Sequence, residues 1–227
     1  LTIYLDVYAT QNIKEFTNQL ASVILQTFPE KATLGKKFVT FIKGLSPVIS
    51  YNELSGTPEI AFNYNQPRKY ESSLQQLFGF LDQQNTSVLI AIDEFQQIAN
   101  YKETNTEALL RTIFQQLKNV TFIFSGSHKH LLLEMFNSAK RPFFSSASPL
   151  FLSTIDKAKY ASFITKIFTR HKKQIDRECI AFILDWTRTH TYFTQALCNK
   201  TFSLSDDTIN LKVAYDACNQ ILKEQEN

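Results

Sequence analysis

Glycine is scarce in this chain, 5 residues in 227, and there are 6 prolines, 3 cysteines, one methionine and one tryptophan. With 44% apolar and 20% charged residues, such a composition excludes disorder, collagen-like repeats and a coiled-coil rod. Cys179, Cys198 and Cys218 are odd in number and lack C-x-x-C spacing, which excludes a disulfide framework and a zinc site. They read as small core hydrophobes in a reducing compartment. No apolar run approaches the ~18–20 residues that span a bilayer. The opening Leu-Thr-Ile-Tyr-Leu-Asp lacks the basic region of a signal peptide, so the expected location is cytoplasmic, without membrane contact. Charge of one sign is also missing: 24 Lys+Arg against 21 Asp+Glu leave +3. The nearest basic cluster, Lys157, Lys159, Lys166, Arg170, Lys172 and Lys173, reads as a solvated helix face rather than a phosphate reader. What is plentiful is phenylalanine, 20 residues beside 9 tyrosines, enough for one large core or two modest ones.

Periodicity orders that material. Leu1–Tyr8 alternates as a strand does, and Asn12 with Glu15 forms a capping box before Ile13, Phe16, Leu20, Val23, Ile24 and Phe28, a helix closed by Pro29. Phe38, Phe41 and Ile42 continue as a short helix. Pro47–Asn52, a turn at Ser55-Gly56-Thr57-Pro58 and Glu59–Tyr64 predict a hairpin. Leu74, Leu77, Phe78 and Leu81 mark the next helix. Val88–Ile92 is apolar throughout, the pattern of a parallel strand covered on both faces. Thr104 and Glu107 cap a helix bearing Leu109, Leu110, Ile113, Phe114 and Leu117. Val120–Phe124 is a second buried strand, followed by a short helix with Leu131, Leu132, Met135 and Phe136. Leu150-Phe151-Leu152 is the expected last strand. From Asp156 onward only helical spacing remains, so strands alternating with helices give way to a small bundle.

Two places carry chemistry. Asp93-Glu94 closes the first buried strand, and paired carboxylates there are costly unless they face a ligand or a cation. In phosphoryl transfer one acid supports Mg²⁺ and the other polarises water. The same pair also suits the acidic start of a helix. Ser125-Gly126-Ser127 ends the neighbouring strand, where hydroxyls bond a phosphate or a lytic water, or simply form a strand-to-helix turn. The phosphate cradle G-x-x-x-x-G-K-[ST] does not occur; Gly35-Lys36 has no glycine five residues before it. His128 and His130 lack a third metal ligand and read as solvated.

The succession VLIAIDEFQQI, FIFSGS, a helix with Met135-Phe136 and a loop into a short strand resembles the archaeal-type P-loop ATPase family of STAND and AAA-like NTPases. Tyr4–Thr10 looks like the strand after the P-loop helix. Trp186–Asn199 is similar to the family's lid segment, with His190-Thr191-Tyr192 in place of Gly-x-Pro-Tyr. The resemblance implies an α/β fold: a parallel-sheet, AAA-like P-loop NTPase core over 1–155 that lacks its P-loop strand, then a helical lid over 156–227. It makes Asp93 the Walker B acid supporting Mg²⁺ and Glu94 the general base. Ser125 or Ser127 takes the sensor position, and Tyr192 lies near adenine. Arg141 is the fallback for an arginine finger, and Tyr215–Asn227 the approach to a winged helix.

In this class the P-loop strand lies between the strand at Val120–Phe124 and the one near Leu150. The chain begins inside a strand-like run without an initiator Met, so it reads as a piece of a longer protein with that segment upstream. Without that strand, edges meant to be buried stand unpaired. The function so implied is an ATP-binding, ATP-hydrolysing molecular switch using Mg²⁺, inactive as this piece alone. The alternatives are a non-hydrolysing interaction scaffold and an ATPase serving a linked DNA-binding or nuclease domain. The expected partners are ATP, a protein, and nucleic acid through a further C-terminal domain.

Overall fold

Apolar residues at every second position of three short segments build the centre of the fold. The computed structural model describes residues 1–28, 32–205 and 208–225, and it divides into two compact units, Leu1–Pro149 and Leu150–Asn227. In the first unit, strands β1 (Thr2–Asp6), β4 (Val88–Asp93) and β5 (Val120–Phe124) form a parallel sheet in the order β1-β4-β5. Parallel neighbours need crossovers, and helices supply them: α1 (Ile13–Thr27), α2 (Thr33–Lys43) and α3 (Pro67–Asp82) between β1 and β4, and α4 (Thr106–Gln116) between β4 and β5. Helix α5 (Lys129–Asn137) follows β5.

The capping box is realised at α1, where Asn12 Oδ1 accepts from Glu15 N at 2.9 Å and the Glu15 carboxylate reaches back to Gln11 N at 2.8 Å. Pro29 lies outside the described residues. The hairpin is β2 (Pro47–Tyr51) against β3 (Pro58–Phe62), antiparallel. Its loop is organised by Asn52 Oδ1, which accepts from Leu54 N and Ser55 N, and by Gly56 at φ 67°, a left-handed turn position.

Four expectations are corrected. The cap of α4 is not Thr104: the helix begins at Thr106, and Glu107 leaves the backbone to pair with Arg141. Leu150-Phe151-Leu152 is not a strand; it runs as exposed coil at the start of the second unit and joins no sheet. The helical region is not free of strands: β6 (Gln174–Ile175) and β7 (Thr208–Ile209) pair in parallel among α6 (Lys157–Arg170), α7 (Arg177–Trp186), α8 (Thr191–Ser203) and α9 (Leu211–Gln225).

The fourth correction concerns the sheet itself. Ile3 and Leu5 of β1 and Val88, Ile90 and Ile92 of β4 are buried against the helices, with Phe122 and Phe124 of β5 packed on the same core. The opposite face is open. Its middle row is Tyr4, Ala91 and Ile123, and Ile123 is 51% exposed. The apolar run of β4 is covered fully on one face only: Val88, Ile90 and Ile92 are buried, while Leu89 and Ala91 on the other face are half-buried. The far edge of β5 is likewise unpaired among the described residues.

The second unit has its own core of Tyr160, Ile164, Phe168, Ile180, Ile183, Leu184, Leu197 and Ala217. Cys179 and Cys218 are buried in it, and burial pushes the Cys179 thiol up to about 12. Lys173 donates to the carbonyls of Phe202, at 2.6 Å, and Ser205, and its ammonium lies 4.0 Å from the Phe202 ring centroid. A cation there complements the carbonyl end of α8. Among the described residues no helix is long and apolar enough to cross a membrane.

The open edge has a measurable signature. Ser125 N donates to Ile92 O at 3.0 Å, so by the period of two the Thr121 and Ile123 amides face β4, while those of Phe122 and Phe124 face the free edge. In this chain alone, the Phe122 and Phe124 amides should exchange with solvent much faster than those of Thr121 and Ile123. Uniform protection along 120–124 by NMR-detected exchange would contradict an open edge.

Candidate functional site

The chain leaves β4 by a sharp turn, and that turn builds the site. Glu94 takes a left-handed conformation at φ 54°, after which Phe95–Asn100 form a single 3-10 segment. A non-glycine residue there costs on the order of 1–3 kcal/mol. The offset is packing: Phe95 is fully buried, its ring 4.3 Å from that of Phe124 and 5.2 Å from Phe143. Burying such a side chain contributes about 1.5–3 kcal/mol. Phe95 N also donates to Ser125 O at 3.0 Å, a bond two residues beyond the end of β4.

The turn brings four of the five expected site residues together at the carboxyl ends of β4 and β5. Asp93 Oδ1 accepts from Ser125 Oγ at 2.7 Å and from Glu94 N at 3.0 Å. Asp93 Oδ2 accepts from the Tyr4 hydroxyl at 2.6 Å. Glu94 Oε2 accepts from Ser127 Oγ at 2.8 Å and from Gln96 Nε2 at 2.5 Å. Neither acid caps the following turn through its side chain, and α5 starts at Lys129 without a serine cap, so the helix-start alternatives are not how these residues are used. Tyr192 belongs to the second unit, where it is 68% exposed with its ring 5.4 Å from that of Phe193. Beside it a cleft of about 410 Å³ is lined by Thr154, Trp186, Thr187, Arg188, His190 and Phe193. Arg188 and Thr189 in its rim are both left-handed, at φ 50° and 58°.

Electrostatically the acids stay charged. The Tyr4 hydroxyl, ahead of that of Ser125, holds the Asp93 carboxyl below the usual carboxylate range. Burial works against ionising Glu94, but the bonds from Ser127 and Gln96 outweigh it and hold this carboxyl low as well. Because both values are lowered, what these bonds add to stability is present at neutral pH and is lost as pH falls through the lowered values. The same bond pushes the Tyr4 phenol up to about 12.

Two residues of this arrangement were not expected from the sequence. Tyr4 stands in register with Ala91, whose methyl leaves its ring room to lean along the strand toward Asp93. Gln96 is 4% exposed and its Oε1 has no partner, being pressed against Gly126. A Cβ on Gly126 would lie 1.8 Å from that oxygen, so only glycine lets Gln96 reach Glu94. Arg141 is held at 2.7 Å by Glu107 within the first unit, which removes it as a free arginine finger.

A divalent cation fits this chemistry in one way. Among the described residues no group of three His, Cys, Asp or Glu is placed to hold a metal alone. Mg²⁺ is commonly held by one or two carboxylates together with substrate phosphates, and Asp93 with Glu94 offers that partial set. A phosphate cradle with its lysine is not among these residues.

At the level of sequence, no protein-family profile and no curated protein matches this chain. Its fold does have counterparts. The Walker-type ATPase PABY2304 of Pyrococcus abyssi superposes on 99% of the chain with a TM-score of 0.62 at 17% identity. The chain spans 63% of that protein's length. The RuvB Holliday junction branch migration motor of Thermotoga maritima matches 67% of the chain, and 55% of its own, at a TM-score of 0.47 and 13% identity. The chain therefore has the parallel-sheet α/β fold of a Walker-type, P-loop ATPase.

Gly126→Ala tests the Gln96 contact. It should destabilise the chain by about 1–3 kcal/mol in urea unfolding, through displacement of a buried amide. In a Gln96→Ala background the same substitution should be nearly silent; equal effects in both backgrounds would refute the coupling.

Proposed function

We propose that this chain is the nucleotide-binding core and helical lid of an ATP-hydrolysing molecular switch. The observation that carries the reading is the pair of ionised carboxylates at the carboxyl end of β4, each bonded by a serine from the end of β5. Mg²⁺ bound with ATP would supply charge neutralisation on the phosphates. Asp93 supports that ion through a water, as outer-sphere acceptor. Glu94 receives both of its side-chain bonds on Oε2, which leaves Oε1 to take a proton from the attacking water. Ser125 and Ser127 hold the acids in place and offer their hydroxyls towards the γ-phosphate. Tyr192 packs on the base, with the aromatic cleft of the second unit beside it.

The reading also requires a phosphate-binding strand and helix. The free edge of β5 and the uncovered face at Tyr4, Ala91 and Ile123 support it, since one strand–helix unit would satisfy both. A protein partner, nucleic acid bound through a further domain, and a cytoplasmic location go with this reading.

Calorimetry with Mg²⁺·ATP on this chain and on the longest natural form that contains it tests the proposal. Binding is expected in the form that supplies the cradle. Glu94→Gln should retain binding while hydrolysis falls by roughly 10²–10⁴-fold, the range of a lost general base. No binding in any form would leave an interaction scaffold as the better account.

A further inference from the structure

The site holds one polar group that the roles above leave unused, the Tyr4 hydroxyl. It comes from a different strand, β1, and it is the sole bond that Asp93 Oδ2 accepts among the described residues. A carboxylate has about four lone-pair sites, two on each oxygen. On Asp93, Oδ1 is filled by Ser125 Oγ and Glu94 N, and one site of Oδ2 is filled by Tyr4. A single acceptor position remains, on Oδ2. Donors from both flanking strands, Tyr4 of β1 and the residue after β5, grip opposite oxygens, so rotation about the Cβ–Cγ bond would break two bonds at once.

We infer that Tyr4 is a positioning residue for the divalent cation: its hydroxyl locks the Asp93 carboxylate so that its one remaining lone pair faces the cation's hydration shell. The inference rests on the reading above, in which Asp93 supports Mg²⁺. The ring is suited to this role. Tyr4 is 58% exposed on the open face of the sheet, and its row partner Ala91 is small, so the ring contributes little to the core. Its hydroxyl is instead spent on one carboxylate oxygen. Outer-shell partners of a metal site typically alter metal affinity or activity by roughly 10–100-fold.

Tyr4→Phe removes the hydroxyl and keeps the ring. The measurement is the dissociation constant of ATP with Mg²⁺ and with EDTA, on the longest natural form of the chain. The tightening that Mg²⁺ confers should shrink about tenfold in Tyr4→Phe, with ATP affinity in EDTA unchanged. In an Asp93→Asn background the second substitution should add nothing, which a merely structural tyrosine would not produce. Ser125→Ala, which loosens the other oxygen, should give a parallel loss. An unchanged Mg²⁺ effect, an equal loss in EDTA, or additivity with Asp93→Asn would overturn the inference while leaving the ATPase reading standing. A native chain that binds ATP no better with Mg²⁺ than without it would instead overturn that reading, and this inference with it.

Discussion

The turn at Glu94 is the constraint on which the rest of the site depends. A parallel strand that ended in an ordinary extended residue would carry Glu94 onto the helix-covered face, opposite Asp93, because successive side chains alternate. The left-handed residue breaks that alternation. It directs Phe95 downward among Phe124, Phe136 and Phe143 and leaves both carboxylates at the rim. The strain is modest beside the burial of one phenyl ring, so the phenylalanine cluster holds the turn. Site geometry and core packing meet in one residue, and a change to Phe95 would disturb the site without touching either acid.

A second consequence follows from the asymmetry of the sheet. The sheet residues packed in the core all lie on one face, Ile3, Leu5, Val88, Ile90 and Ile92 with Phe122 and Phe124, while Tyr4, Leu89, Ala91, Thr121 and Ile123 stand on the other. Strand β4 remains apolar on that side as well, since Leu89 and Ala91 continue the run. That composition suits a covered strand, and the free edge of β5 stands beside it. The groups which would gain most from an added strand and helix are those nearest the two acids. Completion of the sheet and completion of the site are therefore the same structural event in this reading.

Much of this was legible in the sequence, and the exceptions have physical causes. Element types and order followed from periodicity: the Asn12–Glu15 capping box, the hairpin at Gly56 and the mainly helical stretch after Asp156 all stand where their spacing put them. Boundaries set by competition were not legible. Glu107 looked like a cap residue, but the half-buried Arg141 outbid the backbone for its carboxylate. Leu150–Leu152 had strand composition but joins no sheet, and composition alone does not make a ladder. In the site, Asp93, Glu94, Ser125 and Ser127 could be grouped because each pair closes a strand. Tyr4 and Gln96 could not. The first depends on the register of two strands 87 residues apart, the second on a reversal of direction at Glu94 that no residue type announces.

The electrostatics of the pair argue for what it serves. Two neighbouring carboxylates kept ionised in a fold are ordinarily paid for by lysine or arginine. Here the groups that lower the two carboxyls are all neutral: a phenol, two serine hydroxyls, a carboxamide and backbone amides. Neutral donors hold a carboxylate in orientation and keep it charged, but they cancel none of its charge. A structural ion pair such as Glu107–Arg141 closes on itself and needs nothing further. The bonds that lower Asp93 and Glu94 come from neutral donors, and mutual repulsion opposes the ionisation of Glu94. Oriented and charged by neutral donors, they suit a cation supplied from outside the chain, which in the function proposed above arrives with the phosphates of ATP.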